Sequence, residues 1–464
     1  MKVCLLVNNA NANLFIKLGD TFVQNGHEVV FIALQPVDEA LLIKRNAGSK
    51  IYSPERYLRE NWEELDESSL AELQEKYGRL SLWDIYYADR WLVSQSRDSA
   101  VKYIVGYIRF YEHLYSLEKP DLLFYELISN FTAFMGKYIG EYFGVAFRGY
   151  CGSRFDYENT ILMADDECAR LRQIEELYKS DHVFSEEEIQ ECKKKIEEIR
   201  QTQVATAYMQ NLKKQSRRFG KDLLAPLRYI RGMLQPSRRK AFLNKYDYVQ
   251  YGRQKDYKNL FLRFFRFHAS KKYCTMPNLQ EDYFFFPLHF QPEASTLLCA
   301  RKYVNQAFFI EQLSKSIPAG VCLYVKDHIV FPGHKPVSFF KTISKLPNVK
   351  IISSEYNTYA LTKHAKALVV LTSTVGLEAL LLQIPVYVAG EVFYDFLPCV
   401  TKINDVYTEQ ALFKNPKPVP EEQVIRLLCS YFKCMRPACS TTVDKNYDTQ
   451  ENASRFYEAI LAEL

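Results

Sequence analysis

The sequence predicts an α/β fold with two Rossmann-like domains facing one cleft, and three observations carry that reading. Short apolar runs of strand length alternate with helical stretches near both ends of the chain, which is the pattern of a parallel sheet covered by helices. The 464 residues exceed one ordinary domain and suit two. Between the two alternating regions lies a long charged and basic stretch that breaks the rhythm, read as a helical insertion.

The first alternating region opens at once. Val3 to Val7 reads as a buried strand, Asn8 to Asn13 as a polar loop, and Leu14 to Gln24 as a helix ended by Gly26. Glu28 to Leu34 reads as a second strand, and His27 belongs to the turn before it. Asp121 to Tyr125 gives another strand, followed by a helix to about Phe143 and a strand-like stretch from Val145 to Gly149. No GxGxxG follows the first strand, so a dinucleotide site is not expected there. These boundaries set an N-terminal domain at 1–155.

Residues 156–275 form the expected helical, basic insertion. Ser185 and Glu188 have capping-box spacing at the head of a charged helix running to Arg200. From Lys213 to Lys272 there are eighteen Lys and Arg against three acids, Asp222, Asp247 and Asp256, although the whole chain carries only +5. Phe261, Phe264, Phe265 and Phe267 interleave with Arg263 and Arg266. Two readings compete: a solvated helical face, or a surface over 213–272 that docks on anionic lipid headgroups. No recognition motif accompanies the charge, and nucleic acid is not an expected partner.

The βα rhythm resumes at Tyr283 and defines a second domain at 276–415. Its strands are Tyr283–Pro287, Val321–Lys326, Val349–Ser353, Ala367–Leu371 and Pro385–Ala389, with helices near 294–314, 337–345, 356–364 and 374–383. Residues 416–464 supply C-terminal helices at 421–433 and 452–464, the last expected to pack across domains.

Composition narrows the setting. A 48% apolar and 25% charged chain can build globular cores, and 14% aromatic content suits bulky packing or sugar-lined clefts. The eleven cysteines are scattered without a CxxC pair, which fits a reducing, cytoplasmic compartment and no zinc site. The first apolar stretch is too short for a signal peptide, and no run is long enough to span a bilayer. The expected location is the cytoplasm, with peripheral attachment at the inner face of the cell membrane through the basic stretch.

Ligands of open parallel sheets bind outside the carboxyl ends of the strands. Three segments of the second domain leave strands there: PLHFQPEAST at 287–296, VKDH at 325–328, and TSTVGLEA at 372–379. Thr372, Ser373 and Thr374 offer hydroxyls and backbone amides to a phosphate, the alternative being an ordinary helix start. Lys326 and His328 at an adjacent strand end would supply cationic partners for the same phosphate. In the first domain Asn9, Asn11 and Arg154 lie where an acceptor's hydroxyls would be met. Asp165, Asp166 and Glu167 form an acidic run in irregular sequence, and no metal site is read from them.

The combination of PLHFQPEAST, VKDH and TSTVGLEALLLQIPVYVAG resembles the capsule polysaccharide biosynthesis protein family, which includes the retaining β-Kdo transferases of capsule export. The resemblance covers roughly 275–400 best, is weaker over 1–155 and is absent over the basic insertion. It implies a GT-B-like, metal-independent glycosyltransferase with no cofactor. The donor would be a nucleotide sugar, commonly a CMP-activated 3-deoxy sugar acid such as Kdo, bound mainly by the C-terminal domain. The acceptor would be a growing surface polysaccharide or a lipid-linked glycan. In similar bacterial sialyltransferases a His-Pro motif and a Ser/Thr motif bind CMP; the matching positions are His328 and Thr372 to Thr374, with Ile329 in place of the proline. The family's Gln-x-acid-x-Ser pattern falls on Gln291 and Glu293, so Glu293 is the candidate nucleophile or base, with His289 beside it, or else Glu293 caps the following helix. Gly376 and Glu378 complete the expected donor set, Glu378 at the nucleotide ribose. Rival readings are a sugar-nucleotide 2-epimerase of similar architecture and a non-catalytic polysaccharide-export adaptor.

Overall fold

The computed structural model describes residues 1–45, 50–78, 81–156, 158–202, 224–328 and 332–464. It contains two compact units, one of residues 1–171, 233–256 and 435–464, the other of residues 172–232 and 257–434.

The first unit is built on a seven-stranded sheet. In chain order its strands are β1 (Lys2–Val7), β2 (Glu28–Ala33), β3 (Lys50–Tyr52), β4 (Leu122–Glu126), β5 (Ala146–Gly152) and β6 (Thr160–Ala164). The last strand of the chain, Arg436–Pro437, pairs antiparallel with β6 at its edge. Strands β5, β4, β1, β2 and β3 are parallel neighbours in that order. β1 is buried from Val3 to Val7, as a strand covered on both faces must be. The helix Arg97–Glu118 buries Tyr103, Tyr107, Tyr111 and Tyr115 at helical spacing and packs on the helix Phe131–Tyr142, where the Tyr111 and Tyr115 hydroxyls donate to the Thr132 and Gly136 carbonyls, each at 2.9 Å. The final helix, Gln450–Leu461, also completes this unit: Phe456 meets Tyr150 with ring centroids 4.7 Å apart.

The second unit carries seven parallel strands. Continuing in chain order, these are β7 (Cys274–Thr275), β8 (Tyr283–Pro287), β9 (Cys322–Lys326), β10 (Val349–Ile352), β11 (Ala367–Val370), β12 (Val386–Val388) and β13 (Thr401–Lys402). Their order across the sheet is β13-β12-β11-β8-β9-β10-β7. In both units the first long strand is central, and the chain builds outward on one side before crossing to the other. That is the Rossmann-like order, and it creates a switch point between β1 and β4 and another between β8 and β11. All five side chains of β8 are buried, and Phe284 and Phe286 enter a core with Phe309, Leu323, Val325, Leu371 and Tyr387.

The single helix expected over 294–314 is broken. Residues Ala294–Leu297 form one short helix, Arg301–Tyr303 a 3₁₀ turn, and Gln306–Ser316 a second helix. Asn305 starts the second helix by accepting from the Phe308 amide at 3.2 Å, and an Asn that caps cannot also continue a helix.

The span expected as one insertion is divided between the units, with 233–256 in the first and 172–232 and 257–275 in the second. The capping box forms as expected, with the Glu188 amide donating to Ser185 Oγ at 3.2 Å and the Ser185 amide to Glu188 Oε2 at 2.8 Å. Within the basic stretch, helices occupy Ala225–Met233, Pro236–Phe242 and Tyr248–Ser270. The part of that stretch at 213–223 lies outside the described residues. Arg238, Arg239 and Lys240 are exposed, but Arg263 is buried, because its Nε donates to the Pro332 carbonyl at 2.8 Å. The basic stretch is therefore not one uniformly exposed face.

Candidate functional site

The switch point of the second sheet brings three chain segments to one rim. Pro287 at the end of β8 lies in register with Lys326 at the end of β9, while β11 pairs with the other side of β8. The exits after Pro287, Lys326 and Val370 are thus neighbours, which is how parallel strands deliver separate loops to one place.

His289 is the knot among them. It is 8% exposed, and its amide donates to Gln306 Oε1 at 2.9 Å while Gln306 Nε2 returns a bond to the His289 carbonyl at 3.2 Å. The same carbonyl accepts from the Lys335 ammonium at 2.7 Å. Across the switch point the Thr372 amide donates to His289 Nε2 at 3.3 Å. The Nε2 lone pair is thereby engaged, and the ring proton sits on Nδ1. As it stands His289 orients the Thr372 turn; acting as a base would require that bond to open.

The Thr372–Thr374 turn has its own supports. Thr372 Oγ1 donates to the Ser295 carbonyl at 3.3 Å, the Val375 amide donates to Ser373 Oγ at 3.2 Å, and the Tyr394 hydroxyl donates to the Ser373 carbonyl. Gly376 is needed by packing: a Cβ there would come within 2.0 Å of the buried Tyr394 hydroxyl oxygen. Glu378 is half-buried in the helix Val375–Leu381 that follows.

Electrostatics change one expectation. Burial, reinforced by Lys326 and Lys335, pushes His328 down to about 4. Burial likewise takes His289 down to about 3, with His328 and Lys335 adding to it. His328 was expected as a cationic partner, but near neutral pH it is an uncharged hydrogen-bonding group, because two lysines already occupy the same low-dielectric rim. The positive charge belongs to Lys326, itself only 4% exposed, and Lys335. Asp327 faces them, its carboxyl raised by burial against the pull of Lys335, and it accepts from the His328 amide at 2.9 Å.

Glu293 stands at the N-cap position of Ala294–Leu297, yet its carboxylate caps no amide. Its main-chain carbonyl accepts from the Thr296 and Leu297 amides at 3.0 and 2.9 Å, and Oε2 accepts from Ser295 Oγ at 2.9 Å. Its half-buried side chain is thus not occupied in capping. Gln291 turns inward, donating to the Val304 carbonyl at 2.6 Å.

The three first-unit candidates have different fates. Asn9 and Arg154 are exposed. Asn11 is fully buried: its Oδ1 accepts from the Asn8 amide at 2.9 Å and its Nδ2 reaches Glu126 Oε1 at 3.4 Å. It shapes the loop after β1 and presents nothing to a ligand in this state. Two members of the acidic run are spent internally, with Asp166 held by Arg170 at 2.7 Å and Glu167 by Lys137 at 3.1 Å. Among the described residues no cluster of His, Cys, Asp and Glu has the arrangement of a metal site.

Residues 235–427 match the family model described as capsule polysaccharide biosynthesis protein. This is the family that the three motifs resemble. The matched span takes in all three strand exits and starts inside the basic stretch, where the sequence motifs had shown no likeness. Among solved structures, Thermosulfurimonas dismutans KpsC, β-Kdo 2,4 transferase, aligns at 12% identity over 72% of this chain and 88% of its own, with a TM-score of 0.40. The S. aureus MnaA–UDP structure aligns at 11% identity over 100% of this chain and 97% of its own, with a TM-score of 0.25. The spinosyn rhamnosyltransferase SpnG aligns at 10% identity over 100% and 99%, with a TM-score of 0.25. No curated protein matches the chain.

Within the span matched to the capsule family, the structure adds residues that the motifs did not single out. Gln306 and Lys335 hold the His289 carbonyl and amide, and Tyr394 holds the turn at Ser373. Gln306 begins a helix, Lys335 ends the loop after β9 and Tyr394 lies beyond β12, so only folding brings them together at the rim; the one sequence signal was Asn305, whose cap fixes where Gln306 falls.

Proposed function

We propose that this chain is a glycosyltransferase of surface-polysaccharide assembly that uses a nucleotide-activated sugar. The observation that carries the reading is the rim at β11, β8 and β9. There Thr372, His289, His328 and Lys326 meet at a sheet switch point, inside the span matched to the capsule polysaccharide biosynthesis family. In this reading the Thr372–Thr374 turn and Lys326 bind the donor phosphate, and neutral His328 donates a hydrogen bond to it. As the glycosidic bond breaks, negative charge grows on the leaving nucleotide, and preorganised donors in a buried setting stabilise that charge more than the ground state. Glu293 acts at the anomeric centre or on the acceptor hydroxyl. Gly376 lets the turn approach closely, and Glu378 and Gln291 line the donor side. A CMP-linked sugar acid such as Kdo is the donor favoured by the motif resemblance. The first unit binds the glycan or lipid-linked acceptor through Asn9 and Arg154, and the exposed basic helices attach the protein to the inner face of the cell membrane.

The test is sugar transfer by wild type and Glu293→Gln, with and without acceptor. Glu293→Gln keeps the shape and removes the charge, so nucleotide binding should persist while transfer falls by at least ~100-fold, the scale of a lost acid–base group. Near-normal transfer by the variant would remove Glu293 from the chemistry. Release of a free epimerised nucleotide sugar without acceptor would replace the proposal with the epimerase reading, and a wild type that binds no nucleotide would favour the adaptor.

A further inference from the structure

The donor reading leaves one buried cation unused. Lys335 is 8% exposed, and its ammonium donates to the His289 carbonyl at 2.7 Å, with the Phe339 ring centroid 5.5 Å away. Asp327 is the carboxylate whose charge acts on it, and burial lowers the ammonium pKa against that pull. One carbonyl satisfies one of three N–H donors. Two unfilled donors on a desolvated ammonium are unfavourable, and a ligand anion that fills them converts part of that cost into binding.

The loop that presents Lys335 is fixed from the other side. Gly333 has φ +75°, and a Cβ there would lie 2.2 Å from the Arg263 carbonyl oxygen, so the loop presses directly on the backbone of the helix Tyr248–Ser270. Arg263 reinforces the contact through its bond to Pro332. Lys335 is therefore clamped at the rim and does not sweep through solvent. Through His289 it is tied to the phosphate turn: the ammonium bonds the His289 carbonyl at 2.7 Å, the His289 ring accepts from the Thr372 amide at 3.3 Å, and the strand leading to His289 ends in register with Lys326. A single phosphate is already provided for by Lys326 and the Thr372–Thr374 turn.

We propose that Lys335 receives a second anionic group of the donor, adjacent to the phosphate, so that the site selects donors carrying two anionic centres over those carrying one. This rests on the donor-site reading above. Two chemistries meet the requirement: the second phosphate of a nucleoside diphosphate, or the carboxylate of a sugar acid joined to a nucleoside monophosphate.

Calorimetric titration of the full chain with UMP, UDP, CMP and CMP-N-acetylneuraminate tests it and separates the two sources. Wild type should bind either UDP over UMP or the CMP-sugar acid over CMP by about tenfold or more, the scale of one charge-assisted hydrogen bond. Lys335→Met should reduce that ratio to within about twofold; because Lys335 also holds the His289 carbonyl, the ratio within each variant is the readout and not the monophosphate affinity itself. Lys335→Arg, which keeps the charge, should retain most of the preference; Lys335→Gln replaces the Met variant if that one fails to fold. A preference that survives loss of the Lys335 charge would overturn the inference and leave the donor site standing. So would equal binding, by wild type, of ligands with one anionic group and ligands with two. Wild type that binds none of the four would bring down the donor-site reading itself.

Discussion

A histidine at a strand exit can serve as a cation, a base or a neutral strut, and burial decides among these. His289 and His328 sit where the strand pattern puts ligand-binding residues, and that much was legible from PLHFQPEAST and VKDH. Their charge was not, because it depends on Lys335 and on desolvation, neither of which has a local sequence signal. The shifts have a thermodynamic consequence of fixed sign. An unfolded histidine takes up its proton near pH 6.5, whereas buried His289 resists until about 3, so between those values the unfolded state binds more protons. This contribution to stability is complete above pH 6.5 and is lost as the pH falls towards 3. Asp38 works the other way: fully buried, with Oδ1 lacking a partner, it is raised to about 7 and contributes stability that fades as the pH rises from about 4 through 7. The two partly cancel in the whole protein, so the informative quantity is a difference. Urea unfolding of wild type and His289→Gln at pH 7.5, 6 and 5 should show the variant losing less stability on acidification. Parallel pH slopes would mean that His289 titrates normally in the folded state.

Elements were read more accurately than residues, for a physical reason. Strands buried on both faces leave near-continuous apolar runs, and β8 and β9 carry such runs bounded by polar loops; both were placed within a residue. The helix after β8 was misread because Asn305 acts as a cap in the middle of an apolar pattern that otherwise continues. The helix Arg97–Glu118 was passed over although its tyrosines repeat at helical spacing, since aromatic residues suit strands as readily. The basic stretch divides at this scale too: Arg263 is internal, while the helix Pro236–Phe242 exposes Arg238, Arg239 and Lys240. Exposed Leu234 and Leu243 flank that helix, a mixture suited to a lipid headgroup layer. If the helix docks there, replacing the three cations with Glu should cut co-sedimentation with phosphatidylserine-containing liposomes at least ~10-fold at low salt, at about 1 kcal/mol per basic residue near the surface. Wild type should lose the same binding as ionic strength rises. Liposome binding indifferent to both changes would make this helix an ordinary solvated face.

At the scale of the molecule, the account depends on one repeated topological device. Each unit places its first long strand centrally, reverses direction once across the sheet, and gathers loops at the reversal. In the second unit that reversal holds the threonine turn, the histidines and the lysines within the span matched to the capsule family. The two-domain α/β class was legible because alternation survives at both ends of the chain; the division of 156–275 between the units was not, because helices there carry no mark of which core they join. The central claim is that this rim binds the nucleotide of an activated sugar, and thermal unfolding with CMP, UDP and GDP tests it most directly. One nucleotide should stabilise wild type, by about 2.7 kcal/mol at a hundredfold excess over its Kd, and the same nucleotide should stabilise His328→Ala less while leaving its ligand-free midpoint close to that of wild type. No shift with any of the three, or equal shifts in wild type and His328→Ala, would contradict the account.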